Sequence, residues 1–313
     1  MLDAHQLNIF LIACETLNFT QAAQRLHMSQ PSISQHIQSL ERQLGVDLFE
    51  RSGRQLHLSD AGVALVPLAS ELVQQSVLIE ESMASLQGEI FGHLKVGCST
   101  TPGKYVLPHL LARFHYKHPR VKVTCQVSPQ ANAIEKLCDG SLHFALSSHS
   151  HQEIYNDAEF RLFMKDPIIL IAPLNHPWAQ REQIDPEELL QVEFIFREVN
   201  SGTYSAVEDA LGRVNLSPHE LNTMLTLGNS EAIALAIQEG LGVGFVSSTV
   251  VAGLRHQDIA FVTVRGVDIC RDIYIGRHTR RPPTSAQIAF WNLIESLDPP
   301  IQWQTAFQDR ISE

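Results

Sequence analysis

The sequence predicts three parts in series: a winged helix-turn-helix, a long linker helix, and an α/β domain of two lobes. Three observations carry this. Residues 19–45 read as two helices joined by a tight turn. Leucine and isoleucine then recur every seven residues. From residue 94 onward strand-like runs alternate with helical ones, which implies parallel or mixed sheets covered by helices on both faces. The expected parts are 1–58, the linker helix 59–88, the α/β domain 89–300 and a tail 301–313.

Residues 3–17 form the first expected helix, because Leu7, Phe10, Leu11, Cys14 and Leu17 fall at helical spacing. Thr20 is the expected N-cap of the next helix, and His27-Met28-Ser29 the turn after it. Ser29 caps a longer helix, Pro31 is tolerated in its first turn, and Gly45 ends it. Ile33, Ile37, Leu40 and Leu44 share one face of that helix, which must bury. Gln30, Pro31, Ser34, Gln35 and Gln38 then face outward. A rigid helix offering Gln and Ser near its N-terminus is suited to reading base edges in a DNA major groove. Two short runs flanking Ser52-Gly53 read as a hairpin beside it, with Arg51 and Arg54 placed to reach phosphate or the minor groove.

Charge qualifies this reading. The net charge is −11, yet over residues 25–57 four arginines face three carboxylates, so the local balance is +1. Such a modest footprint calls for a few well-aimed contacts and for doubling through a second copy. Ser59 caps the linker helix, where Leu65, Leu72, Ile79 and Leu86 form a heptad row. Gln75 and Ser82 interrupt its second seam. The row is expected to dimerise the chain.

Beyond Gly88 and Gly92, strands are expected at 94–98, 121–127, 143–146, 168–172, 194–196, 242–246, 259–264 and 269–275. The main helices are expected at 105–115, 131–138, 204–213, 230–239 and 284–297. Four strand ends are rich in hydroxyls: Ser99-Thr100-Thr101, Ser147-Ser148, the run REVNSGT from Arg197 to Thr203, and Ser247-Ser248-Thr249. Taken singly, each hydroxyl reads as a helix cap. Their recurrence at successive strand ends, with free N–H groups and an arginine, suits a small carboxylate or oxyanion. Asn229 at the next helix start adds an amide.

Other classes find less support. The chain carries no G-x-S-x-G and no phosphate-binding G-x-x-x-x-G-K-[ST]. The glycines of 240–244 end a helix and start a strand, the reverse of a dinucleotide fingerprint. Binding without turnover and without a cofactor is the simpler expectation. The five cysteines are scattered with no C-x-x-C, which fits a reducing cytoplasm. His149 and His151 lack partners at ligand spacing and read as surface residues, so no metal is expected. The longest apolar run, around 168–173, falls short of a membrane span. No basic segment precedes an apolar one near the start, so neither membrane nor export is expected. The alternatives are a solute-binding module feeding a transporter, or a small-molecule enzyme of the doubly wound class.

The run FTQAAQRLHMSQPSISQHIQSLERQLGVDLFERSGRQLHLSDAG resembles the N-terminal domain of LysR-type transcriptional regulators. GCSTTPGKYVLPHLLARFHYKHP resembles the opening of that family's effector domain, and GNSEAIALAIQEGLGVGF its second lobe. The resemblance implies a winged helix-turn-helix joined to a two-lobed, periplasmic-binding-protein-like effector domain, with the chain crossing between lobes twice, so that lobe I takes 91–163 and 267–300 and lobe II takes 164–266. It implies homodimers or homotetramers on inverted repeats in promoter DNA, and an anionic co-inducer between the lobes. Carried over by position, recognition contacts fall on Gln30, Pro31, Ser34 and Gln35, and phosphate contacts on Arg51 and Arg54. Effector contacts fall on Thr100, Thr101, Ser147, Arg197, Ser201 and Thr203. Two positions depart from the family pattern: Ser247 stands where proline is common, and Gln35 where arginine is common. STTPGKYVLP and REVNSGT look most like members controlling carbon-fixation or sulfur-assimilation genes. No cysteine pair lies in the second lobe, so the likeness does not extend to the thiol-based peroxide-sensing branch.

Overall fold

The first helix, α1 (Ala4–Thr16), starts at Asp3, whose carboxylate accepts from the His5 N–H at 3.1 Å. The computed structural model describes residues 1–52, 55–85, 90–148, 157–254 and 258–297. The chain divides into two compact units, Met1–Glu89 and Ile90–Glu313.

In the first unit α1 is followed by α2 (Phe19–Leu26), α3 (Gln30–Leu44), the hairpin β1 (Phe49–Ser52) and β2 (Gln55–Leu58), and α4 (Asp60–Ser85). The cap of α2 is Asn18 rather than Thr20. Its amide oxygen accepts from the N–H groups of Thr20 and Gln21 at 2.9 and 3.2 Å, and an extended asparagine caps at least as well as threonine. His27 turns the chain in a left-handed conformation, and Gly45, at φ 74°, ends α3. Ile33, Ile37 and Leu40 are buried with Leu7, Phe10, Ala13 and Ala22 in one core.

The hairpin is tied to α3 and α4 at its base. Glu41, in the last turns of α3, accepts from the N–H groups of Leu48 and Phe49 at 2.9 and 3.3 Å. The Phe49 ring meets Phe10 and Phe19 edge-on, with centroids 5.7 and 5.3 Å apart. Ser59 donates to the Asp47 carbonyl at 2.6 Å and accepts from Gly62 N–H at 3.0 Å, which caps α4. Helix α4 lends Leu65, Val66, Ala69 and Val73 to the core, while Leu68, Leu72, Val77, Ile79 and Met83 stay exposed. Leu86 lies outside the described residues. The stretch Asp60–Met83 of this helix contains an 18-residue window that is, by length and composition alone, apolar enough to cross a membrane, at a mean hydropathy of 1.4. Pro67, Glu71 and Gln74-Gln75 break the stretch into short apolar runs.

The second unit comprises β3 (Gly92–Cys98), a π-helical turn (Pro102–Val106), α5 (Leu107–Lys117), β4 (Val121–Val127), α6 (Gln130–Asp139), β5 (Phe144–Ser147), β6 (Ala158–Pro173), β7 (Glu193–Phe196), α7 (Gly202–Gly212), β8 (Asn222–Thr226), α8 (Ser230–Gln238), β9 (Gly244–Ser247), α9 (Ser248–Gly253), β10 (Ile259–Val262), β11 (Ile269–His278) and α10 (Ser285–Glu295). One sheet runs β10-β6-β11-β5-β3-β4, with β9 also on β6; β7 and β8 pair separately in parallel. The strand expected at 168–172 is the end of a far longer β6. Pro167 reads as a breaker, yet β9 joins β6 only from Ile168 onward, so the missing N–H costs no ladder bond on that side. Strand β8 escapes sequence reading because it is exposed throughout and shows no alternation.

Strands β6 and β11 run antiparallel through both lobes and carry both crossings. Phe163 and Met164 of β6 and Ile273 and Ile275 of β11 belong to the lobe I core, with Leu94, Val96, Phe144 and Phe290. Ile168 and Leu170 of β6 and Ile269 of β11 belong to the lobe II core, with Phe194, Val207 and Phe245. The two cores therefore part at residues 165–167 and 270–272.

A Cβ at Gly62 would collide with the Leu48 carbonyl and press on Leu58 at the base of the hairpin. Gly62→Ala is expected to destabilise the first unit by about 1–3 kcal/mol, read as a lower denaturant midpoint for that unit. An unchanged midpoint contradicts the described packing.

Candidate ligand cleft and nucleic-acid interface

At the parting of the two cores, Asp166 of β6 stands opposite Arg271 of β11 in register. Their side chains are 0% and 5% exposed and form an ion pair. The other carboxylate oxygen accepts from Ser247 Oγ at 2.6 Å and from Thr249 Oγ1 at 3.0 Å. Arg271 also donates to Thr203 Oγ1 at 3.1 Å, in the first turn of α7. Five elements, β6, β11, β9, α9 and α7, thus meet on one buried pair. Burying such charges is costly unless they are paired and hydrogen-bonded, and here both partners are. The Arg271 Nε is buried and has no partner among the described residues.

The hydroxyl-rich stretches at Thr203 and at Ser247-Ser248-Thr249 bond this pair directly, and that at Ser147-Ser148 meets it through Gly202. Ser201 caps α7, accepting from Tyr204 N–H at 3.1 Å, and Ser201 and Thr203 are both buried. A Cβ on Gly202 would collide with Ser148 Oγ and lie 3.3 Å from Arg271 Cδ. Only glycine there lets α7 of lobe II approach the end of β5 in lobe I. Ser147 is buried at that strand end, and the Ser148 N–H donates to Gln130 Oε1 at 2.9 Å. Strand β3 lies parallel beside β5, so Thr100 and Thr101 follow the neighbouring strand end. Thr101 is buried and its side chain does not cap the π-turn that follows.

That π-turn reaches lobe II on its own account. Lys104 donates to Glu231 of α8 at 2.6 Å, and the Tyr105 ring packs on Gly253 of α9 so closely that a Cβ has no room. The hydrogen bond to Glu231 raises the Lys104 pKa, while burial raises that of Tyr105. Ser230, between the α8 cap Asn229 and Glu231, is buried with a hydroxyl that finds no partner among the described residues. A helix start offers free N–H groups and partial positive charge, and Ser201 and Asn229 begin two of them here.

Arg197 makes no hydrogen bond or ion pair to this cluster among the described residues. Its guanidinium is held by the adjacent Glu198 at 2.7 and 2.8 Å, so its charge is already met. The arginine at the crossing is Arg271, which residue-by-residue reading missed together with Asp166. The signal is present in hindsight: each is a charged residue inside a strand whose neighbours at period two are apolar. Ser247, the departure from proline, is fully buried and donates to Asp166. A cavity of about 630 Å³ opens beside the pair. Ser148, Gly202, Arg271 and Tyr274 line it, with Lys165 and Arg213 offset by Asp209, Asp268 and Asp272; Thr100, Thr101, Ser147, Arg197, Ser201 and Thr203 do not.

In the first unit Gln30, Pro31, Gln35 and Gln38 are exposed on α3, and Ser34 is half-buried. Gln30 Nε2 donates to Ser34 Oγ at 2.9 Å, which orders the two side chains on one face. Arg51 is exposed on β1. Arg54 lies outside the described residues, as do His149, His151 and the 301–313 tail. Arg25 is held by Glu15 at 2.9 Å.

Comparison with known proteins bears on both units. Residues 4–63 match the family described as "Bacterial regulatory helix-turn-helix protein, lysR family", and residues 87–298 match the "LysR substrate binding domain". The chain is 30% identical over 275 residues to "HTH-type transcriptional activator CmpR" of Synechocystis, covering 87% of this chain and 88% of that protein. It is 30% identical over 273 residues to the "RuBisCO operon transcriptional regulator" of Acidithiobacillus ferrooxidans, covering 86% of each. The regulatory domain of CcmR from Synechocystis PCC6803, solved in complex with 2-PG, superposes with a TM-score of 0.58 at 25% identity, covering 65% of this chain and 95% of that one.

Gly202→Ala is expected to destabilise the second unit by about 1–3 kcal/mol, because the new methyl has nowhere to go. Adding Ser148→Gly to the same chain is expected to restore most of the loss in a thermal unfolding series. Equal melting of all three proteins contradicts the close approach of α7 and β5.

Proposed function

The chain belongs to the LysR family of helix-turn-helix regulators and is a DNA-binding transcriptional regulator, and from that premise we propose what it reads and what it answers to. It reads inverted repeats in promoter DNA as a homodimer or homotetramer, in the cytoplasm, and catalyses no reaction. Gln30, Pro31, Ser34 and Gln35 contact base edges, while Arg51 and Arg54 contact phosphate. The exposed apolar side chains of α4, Leu68, Leu72, Ile79 and Met83 among them, pair with a second copy.

The effector is a small anionic metabolite held between the lobes. The observation that carries this is the convergence of hydroxyls and two helix starts on one charge-neutral pair, Asp166–Arg271. Neutralised by Asp166, Arg271 leaves the site dependent on N–H groups and hydroxyls, which suit one carboxylate or oxyanion. Thr100, Thr101, Ser147, Ser201 and Thr203 are its contacts, joined by Ser230. Arg197, engaged by Glu198, is set aside. Relatives named for RuBisCO-operon control and a neighbour holding 2-PG support carbon-fixation genes as the regulon.

Two measurements on the full-length protein test this. A thermal-shift screen of 2-PG, organic acids, phosphorylated sugars and sulfur anions is expected to raise the melting temperature with at least one compound. Ligand at a hundred times its Kd stabilises by roughly 2.7 kcal/mol. Thr203→Val is expected to remove most of that shift. In gel-shift titrations against promoter DNA, Gln30→Ala is expected to relax sequence preference, while Arg51→Ala weakens binding to all sequences and lowers the salt slope by about one. No shift with any anion overturns the cleft assignment; an unchanged Gln30→Ala overturns the recognition assignment.

A further inference from the structure

Cys98 ends β3, and Cys125 lies two register positions back on the neighbouring parallel strand β4, so the two side chains share one face of the sheet. Their sulfurs are 3.5 Å apart. Cys98 is fully buried, whereas Cys125 is partly exposed on β4, the edge strand of its sheet. The hydrogen bond between the two sulfurs lowers the Cys125 pKa and raises that of Cys98. The remaining thiols are all pushed the other way: Cys14 to about 12 by burial, and Cys138 and Cys270 upward by burial and neighbouring carboxylates. The reactive form of cysteine is the thiolate, so Cys125, half-buried and with the lowered pKa, is the nucleophile of the set.

We propose that Cys98 and Cys125 form an oxidisable dithiol that a hydroperoxide converts to a disulfide. The Cys125 thiolate attacks the peroxide oxygen, giving the sulfenic acid and releasing hydroxide (or alkoxide). The Cys98 thiol then attacks the Cys125 sulfur. The S–S bond forms, the S–O bond breaks, and water leaves with the Cys98 proton. The two thiols are oxidised by two electrons and the peroxide is reduced by two.

The bond has a structural consequence because of where Cys98 sits. The sulfurs must close from 3.5 Å to about 2.05 Å, which draws the end of β3 toward β4. A Cβ at Gly103 would lie only 2.7 Å from Cys98 Sγ, so the sulfur is packed directly under the π-turn Pro102–Val106. The Gly103 N–H also bonds the Ser99 carbonyl at 3.1 Å. Moving that sulfur disturbs the stretch that carries Thr100, Thr101 and Lys104.

The test uses full-length reduced protein treated with hydrogen peroxide, denatured without reductant and alkylated. The intact mass is expected to show three labels in place of five, and digestion one linked peptide pair, Cys98 with Cys125. Cys98→Ala is expected to stop at the sulfenic acid, trapped by dimedone, and Cys125→Ser to keep its remaining four labels. Amide exchange over residues 98–106 is expected to change on oxidation of the wild-type protein and to stay unchanged in Cys125→Ser. Five labels retained, or a link between any other pair, overturns the dithiol. A Cys98–Cys125 link with unaltered exchange over 98–106 overturns its coupling to the turn. Neither readout depends on a metabolite or on DNA.

Discussion

The Asp166–Arg271 pair carries more of the architecture than its size suggests. Desolvating two charges costs several kcal/mol per ion, which the mutual attraction offsets only with good geometry and further hydrogen bonds. Ser247, Thr249 and Thr203 supply those bonds. The pair sits where neither apolar core reaches, on the two strands that cross between the lobes. Register is the constraint it answers. A strand shifted by one residue turns every side chain to the opposite face. Strands β6 and β11 must present the right faces to two separate cores, and a charge pair between them penalises any slip in either.

The same pair organises the chemistry of the cleft. Its partners are the starts of α7 and α9 and the end of β9, so the residues that keep the charges satisfied also bring polar groups together. Gly202 lets α7 reach the end of β5, and the Lys104–Glu231 and Tyr105–Gly253 contacts close the opposite flank. Exposed ion pairs such as Lys104–Glu231 contribute little stability by themselves. Their role here is positional, tying the π-turn to the start of α8. In the helix-turn-helix unit the governing constraint is geometric rather than electrostatic. Asn18, His27, Ser29 and Gly45 set where helices begin and end, and that leaves the Gln30–Gln38 face of α3 exposed.

Much of this was legible from residues alone, for identifiable reasons. The period of Ile33, Ile37, Leu40 and Leu44 fixes the buried face of α3, because local spacing decides it. The hydroxyl-rich strand ends were visible as a recurring pattern. The through-running strands were hidden, since Pro167 reads as a break unless one knows that β9 pairs with β6 only beyond it. Asp166 and Arg271 are 105 residues apart, and only the register of β6 against β11 joins them. Arg197 drew attention because it stands in a hydroxyl-rich loop, yet its neighbour Glu198 engages it. Cys98 and Cys125 looked scattered for the same reason: strand adjacency brings them together, not sequence.

The most direct test of the account is a double-mutant unfolding cycle at the crossing. Arg271→Met alone and Asp166→Leu alone are each expected to destabilise the second unit by about 3–5 kcal/mol, because each leaves a buried charge without its partner. The double variant is expected to recover most of that loss, giving a coupling energy well above the roughly 0.5 kcal/mol seen between independent sites. Additive losses would contradict the claim that the two lobes are joined through this pair.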